Sequence, residues 1–132
     1  SVKWNPLNDF CSVGRSDGIL DIWDSASNQL VRSFQGHHNR VNVSSWMEGL
    51  NSPSIICSGS KDSRILVRDL RVKEDYVADQ KEHTHEICGL KFSLDGSMLA
   101  SGGNDNLLLV WDVRKFSSNS NFHIHRGFSN SD

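Results

Sequence analysis

Hydrophobic and polar residues alternate along this chain in short runs, and helical spacing is hard to find. Glu86 to Phe92 places Cys88, Leu90 and Phe92 on one face, with Ile87 and Gly89 on the other. That two-residue period is the mark of a strand. Ser93-Leu94-Asp95-Gly96 follows as a hairpin turn, because Asp-Gly accepts the positive φ such turns require. A second strand is predicted over Ser97 to Ser101, a turn at Asn104-Asp105-Asn106, and a third strand over Leu107 to Trp111. The last run is continuously apolar, as expected of a strand covered on both faces. A weaker outer strand is expected at Asn121 to His125.

The same plan occurs twice earlier. Strands are expected at Val2 to Trp4, Asp9 to Val13, Ile19 to Trp23 and Leu30 to Phe34. A further set covers Arg40 to Trp46, Ser54 to Ser58, Ile65 to Arg68 and Tyr76 to Ala78. The landmarks keep register: Asp17, Asp62 and Asp105 are separated by 45 and 43 residues, and so are Trp23, Arg68 and Trp111. A period of about 40–45 residues with Gly-His and Trp-Asp landmarks resembles the WD40 β-propeller repeat. The fold class is therefore all-β, a propeller fragment of about three four-stranded blades, too short to close a ring. The repeats divide at residues 1–36, 37–78 and 79–127, with 128–132 a disordered tail. Residues from Ser117 onward are rich in Ser and Asn and are expected to fray. The loop Met47 to Pro53 is long for a hairpin connection.

WD repeats share a buried hydrogen-bond chain, and the resemblance assigns its members. In the third repeat these are His83, Ser101, Asp105 and Trp111. The second keeps His37, Ser58 and Asp62 but has Arg68 where Trp belongs. The first keeps Asp17 and Trp23 but has Val13 in the Ser position. The last two networks are thus expected to be incomplete. Ser, His and Asp together also suit a hydrolase. Their periodic placement explains them as architecture, and no Gly-x-Ser-x-Gly elbow is present. The chain reads as a binding scaffold, not an enzyme, with no cofactor.

Composition narrows the partners. The 132 residues are 36% hydrophobic and 23% charged with net charge −2, which suits a globular chain and gives no electrostatic footprint for nucleic acid. No apolar run approaches the ~18 residues of a membrane span, and the first residues do not read as a signal peptide. Cys11, Cys57 and Cys88 lie in strand-like runs without a CxxC pair and read as buried reduced thiols. The pairs His83/His85 and His123/His125 lack a recurring third ligand, so no metal is expected. Asn42-Val43-Ser44 matches a glycosylation sequon and reads as chance.

In a propeller, one face collects the loops entering the inner strands and the turns before the third strands. This singles out Ser16, Lys61 and Asn104, together with His38, Arg40, Thr84 and Glu86, as the partner-binding set. Each taken alone reads equally well as a solvated polar residue.

The third repeat has a narrower resemblance. Ile87-Cys88-Gly89-Leu90-Lys91-Phe92-Ser93 and Leu99-Ala100-Ser101-Gly102-Gly103-Asn104-Asp105-Asn106 resemble the Fizzy-type activators of the anaphase-promoting complex. Gly36-His37, Arg40-Val41, Ser58 to Ser63, Asp69-Leu70-Arg71 and Tyr76-Val77-Ala78 agree. The resemblance covers nearly all of residues 1–127 and matches the second to fourth blades of seven. It implies recruitment of proteins that carry short degrons, of the KEN-box type, to that ubiquitin ligase in the cytoplasm and nucleus. It also implies contacts with subunits of the complex. One family role carries over by position, that of Asn104 in the KEN-box pocket. The destruction-box site and the ligase-docking motifs of the family are not expected within this stretch. The alternative is a generic WD scaffold for another multiprotein complex, in trafficking or RNA processing.

Overall fold

The computed structural model describes residues 1–49 and 54–115. Its described residues form eleven strands in three antiparallel sheets. The first sheet holds β1 (Val2–Trp4), β2 (Phe10–Gly14), β3 (Leu20–Asp24) and β4 (Gln29–Phe34), in that order. The second holds β5 (Val41–Trp46), β6 (Ile55–Ser60), β7 (Ile65–Asp69) and β8 (Ala78–Gln80). The third holds β9 (Ile87–Phe92), β10 (Met98–Gly103) and β11 (Leu108–Asp112), followed by a short 3-10 turn at Val113–Lys115. The strand expected at Asn121 to His125, the pair His123/His125, the rest of the tail and the tip of the loop at 50–53 lie outside the described residues.

The sheets stack face to face in chain order. Leu20, Ile22 and Phe34 of the first sheet meet Val41, Trp46 and Ile56 of the second. Cys57, Ile65 and Val67 of the second meet Ile87, Leu90, Phe92, Leu99, Leu109 and Trp111 of the third. The middle sheet is thus covered on both sides, and every residue of β7 is buried. Packing is close enough to need a glycine: a Cβ at Gly59 would stand 2.5 Å from the Ile87 side chain.

The third strands of the outer sheets behave differently from β7. By register, Leu108 and Val110 occupy the places of Ile65 and Val67. Leu108 is nevertheless 48% exposed, because no described sheet covers that face. The expectation of a strand buried on both sides therefore fails for β11. On the opposite flank, Val2, Trp4, Trp23 and Leu30 share the uncovered face of the first sheet and are exposed.

Strict alternation in β9 is also corrected. Ile87 pairs with Gly103 and Gly89 with Gly102, so Cys88 is an extra residue in the ladder. This bulge turns Ile87, Leu90 and Phe92 to the same core and leaves Cys88 exposed. Only Cys57 of the three cysteines is fully buried, and burial pushes its thiol far above the usual range. Cys11 is half-buried. An equivalent bulge at Asn42 lets Val41 face the first sheet while Val43 faces the third.

The outer strand of the second sheet begins two residues later than the expected Tyr76. Asp75 and Tyr76 instead meet Arg68 and the segment that follows β4. The Asp75 carboxylate accepts from the Gln35 amide, the Asp75 carbonyl accepts from Arg68, and the Tyr76 ring lies against Gly36.

Candidate partner-binding face

The turns between the second and third strands of each sheet are built around an aspartate. The Asp17, Asp62 and Asp105 carboxylates accept from the backbone N–H two residues on, at 3.3, 2.9 and 3.1 Å. The residue between has a left-handed backbone: Gly18 at φ 91°, Ser63 at 68° and Asn106 at 61°. Only Gly adopts that region without strain, and Asn tolerates it better than most residues.

In the third sheet the aspartate anchors a complete chain. Asp105 takes the His83 Nδ1–H at 2.9 Å and the Thr84 backbone N–H at 3.0 Å. His83 Nε2 lies 2.8 Å from the Ser101 hydroxyl, which accepts from the Trp111 indole at 2.8 Å. The carboxylate is a pure acceptor, so the imidazole carries a proton on Nδ1. Three N–H groups outweigh the cost of burial and hold the Asp105 carboxyl below its ordinary value.

The second sheet repeats the chain with a different last member. His37 bridges Asp62 at 3.0 Å and Ser58 at 2.8 Å. Arg68, fully buried, donates its Nε–H to Ser58 at 3.0 Å, where the indole donates in the next sheet. Its Nη1 donates to the carbonyls of Gln35 and Asp75, and the guanidinium stacks 5.3 Å from the Phe34 ring. Burial lowers Arg68 to about 10. The network expected to be incomplete is therefore closed by Arg68, a role that the mismatch with Trp concealed. Burial also pushes His37 below its ordinary value, against the pull of Asp62. Asp62 is held well below the carboxylate range: burial opposes this, and the His37, His38 and Arg64 donors override it.

The first sheet has no such chain. Val13 supplies no hydroxyl, and Trp23 is 37% exposed on the uncovered face. Asp17 pairs instead with Arg15 at 2.6 Å and is half-exposed. Asp17 and Trp23 thus leave the structural network assigned to them. The reason is shared: their sides of β2 and β3 face no described sheet.

The Asp-His-Ser connectivity matches a hydrolase triad, but Ser101 is 1% and His83 3% exposed. The hydroxyl is already committed to the indole, which leaves no open side for a substrate.

The residues chosen as partner-binding gather at one end of the sheets. The backbone N–H of Lys61 donates to the Arg40 carbonyl at 3.0 Å, and that of Asn104 to the Glu86 carbonyl at 2.9 Å. Each turn therefore sits on the start of its own inner strand. His38 and Thr84 occupy matching places, their N–H groups held by Asp62 and Asp105. Ser16, Lys61, His38, Arg40, Thr84 and Asn104 are exposed and Glu86 half-buried. Ser16 stands on the corresponding turn of the first sheet. Between the second and third sheets the side chains form a cluster. Glu86 accepts from Asn42 at 2.7 Å, Asn104 at 3.3 Å and Arg40 at 3.5 Å, and the Cys88 thiol donates to the Asn104 carbonyl at 3.2 Å. Asn42 and Cys88, the two bulge residues, were absent from the expected set. Their signal was invisible without the ladder register.

Residues 75–112 match the family model described as "WD domain, G-beta repeat". Over 112 residues the chain is 45% identical to Protein FIZZY-RELATED 1 of Arabidopsis thaliana, spanning 85% of this chain and 22% of that protein. The APC/C activator protein CDC20 of Saccharomyces cerevisiae is 38% identical over 115 residues, 86% of this chain and 18% of that protein. The chain is thus similar to Fizzy-related and Cdc20 proteins, and one stretch of it matches a WD repeat. A chain in the crystal structure of the mitotic checkpoint complex superposes with a TM-score of 0.80 at 38% identity, over 86% of this chain and 33% of that one. The chain thus spans about a fifth of the length of the curated relatives it matches. Among the described residues no group of three or more His, Cys, Asp or Glu is placed to hold a metal ion, and no helix is long and apolar enough to cross a membrane.

Proposed function

We propose that this chain is a non-catalytic recognition module. It would bind KEN-box-type degron peptides and contribute to activation of the anaphase-promoting complex in cell-cycle control, in the cytoplasm and nucleus. The observation that carries this reading is the exposed Asn104 carboxamide. It stands on a hydrogen-bonded turn, at the end where inner-strand starts and turns converge, in a chain 45% identical to a Fizzy-related protein. A carboxamide offers donor and acceptor side by side, which suits a peptide's amide and carboxylate groups. The buried histidine chains hold the two turns beneath it, and their hydroxyls are unavailable for chemistry. Other partners would be subunits of the complex itself.

The test is binding of a fluorescein-labelled Lys-Glu-Asn peptide, followed by anisotropy, against the same peptide with all three residues changed to Ala. The expected result is selective binding, weakened about tenfold by Asn104→Ala. Equal affinity for both peptides would refute degron recognition. It would favour a WD scaffold with a different partner.

A further inference from the structure

Glu86 is the hub of the exposed cluster. It is anchored from two sheets at once. From the second sheet, Asn42 donates at 2.7 Å and Arg40 approaches at 3.5 Å. From its own sheet, Asn104 donates through Nδ2 at 3.3 Å. Asn42 also donates to the Ile87 carbonyl at 3.0 Å, so its amide is tied down twice. The Glu86 side chain is 25% exposed, which places these bonds partly out of water, where they are stronger than surface pairs. On its other side, the Asn104 carbonyl receives the Cys88 thiol. Both ends of the Asn104 amide are thereby assigned. The carboxylate can only accept, so it fixes which end is NH2, and the thiol donor selects the carbonyl end. One N–H and one lone pair remain for a ligand.

This arrangement exists because of the bulges. The extra residue in β5 sends the Asn42 side chain across to Glu86, and the extra residue in β9 sends Cys88 to Asn104. Bulges commonly re-aim a side chain beside a functional site. We infer that Glu86 is the positioning residue of the peptide site: it sets the orientation of the Asn104 carboxamide and locks that turn to Arg40 and Asn42 of the adjacent sheet. The inference rests on the degron-recognition reading above. It assigns to Glu86 an effect transmitted through Asn104, with no contact to the peptide required.

The substitution Glu86→Gln keeps the shape and replaces one acceptor oxygen with an NH2 group. That donor then opposes the donors of Asn42, Arg40 or Asn104, and the amide orientation is released. Three measurements follow on the full chain, with Glu82→Gln as the control in the same loop and circular dichroism to verify folding. Peptide affinity is expected to fall about tenfold in Glu86→Gln and to stay unchanged in Glu82→Gln. In the double variant Glu86→Gln/Asn104→Ala, affinity is expected to equal that of Asn104→Ala alone, because the two residues act as one unit. The reaction of Cys88 with a disulfide reagent, measured in a Cys11→Ser background, is expected to be at least about threefold faster in Glu86→Gln, as the thiol loses its Asn104 acceptor and keeps only the longer contact to the Glu86 backbone carbonyl at 3.7 Å.

A wild-type chain that ignores the Lys-Glu-Asn peptide overturns the reading beneath this inference. A wild type that binds, with Glu86→Gln binding equally well or with losses that simply add, overturns the role of Glu86 alone. An unchanged thiol rate also removes that role, whatever the peptide does.

Discussion

Arg68 offers the sharpest test of the repeat logic, because it occupies the place of Trp111 with opposite chemistry. Truncation by Arg68→Ala leaves three acceptors without a donor: Ser58 Oγ and the carbonyls of Gln35 and Asp75. Each costs about 1 kcal/mol when buried. The vacated volume of ~80 Å3 adds about 2 kcal/mol at the usual cavity coefficient. Against this, removing the charge relieves a desolvation cost. Lowering Arg68 from 12.5 to about 10 corresponds to about 3 kcal/mol. A net loss of about 2 kcal/mol is expected. Arg68→Trp restores the donor to Ser58, refills the space and carries no charge, while the two carbonyls stay unmet. It is expected within about 1 kcal/mol of wild type, and about 3 kcal/mol more stable than Arg68→Ala. Urea unfolding followed by circular dichroism reads both differences, provided the m-value is unchanged. If Arg68→Trp is no more stable than Arg68→Ala, the two side chains are not equivalent members of one network and the reasoning fails.

Two other expectations follow. The folded-state values of both His37 and Asp62 lie below their ordinary values of 6.5 and 3.8, so protonation of either favours the unfolded chain. The His37 contribution is present above pH 6.5 and is lost as pH falls below it, and the Asp62 contribution is lost further down, below about pH 4. Thermal melts across this range are expected to show an initial decline that disappears in His37→Gln; a flat profile from pH 7 to 5 would contradict the lowering of His37 by burial. The exposed apolar faces, with Trp4, Trp23 and Leu30 at one end of the stack and Met98 and Leu108 at the other, are expected to make the isolated chain self-associate. Sedimentation velocity is expected to show this association reduced in the double variant Trp23→Glu/Leu108→Lys, and a wild-type chain that sediments as a monomer at all concentrations would refute it.

Much of this protein is readable from its sequence because the repeat carries the information twice over. The spacing of Asp17, Asp62 and Asp105 and the two-residue alternation between them determine the strands, their antiparallel order and the aspartate turns, since these depend on local backbone chemistry. The chain His83, Ser101, Asp105 and Trp111 is legible through the resemblance to WD repeats, which assigns its members. Tertiary structure decided the rest. Whether Leu108 or Ile65 is buried depends on which sheet lies across from it, and no local pattern reports that. Arg68 joins its network because stacking brings the Gln35 carbonyl and the Phe34 ring from the first sheet to its guanidinium. Cys88 points outward, and Asn42 reaches Glu86, because one extra residue in each inner strand shifts the ladder. A bulge exists only in the pairing between strands, so the sequence determined the blades, and the packing of one blade on the next decided the shape of the face they present.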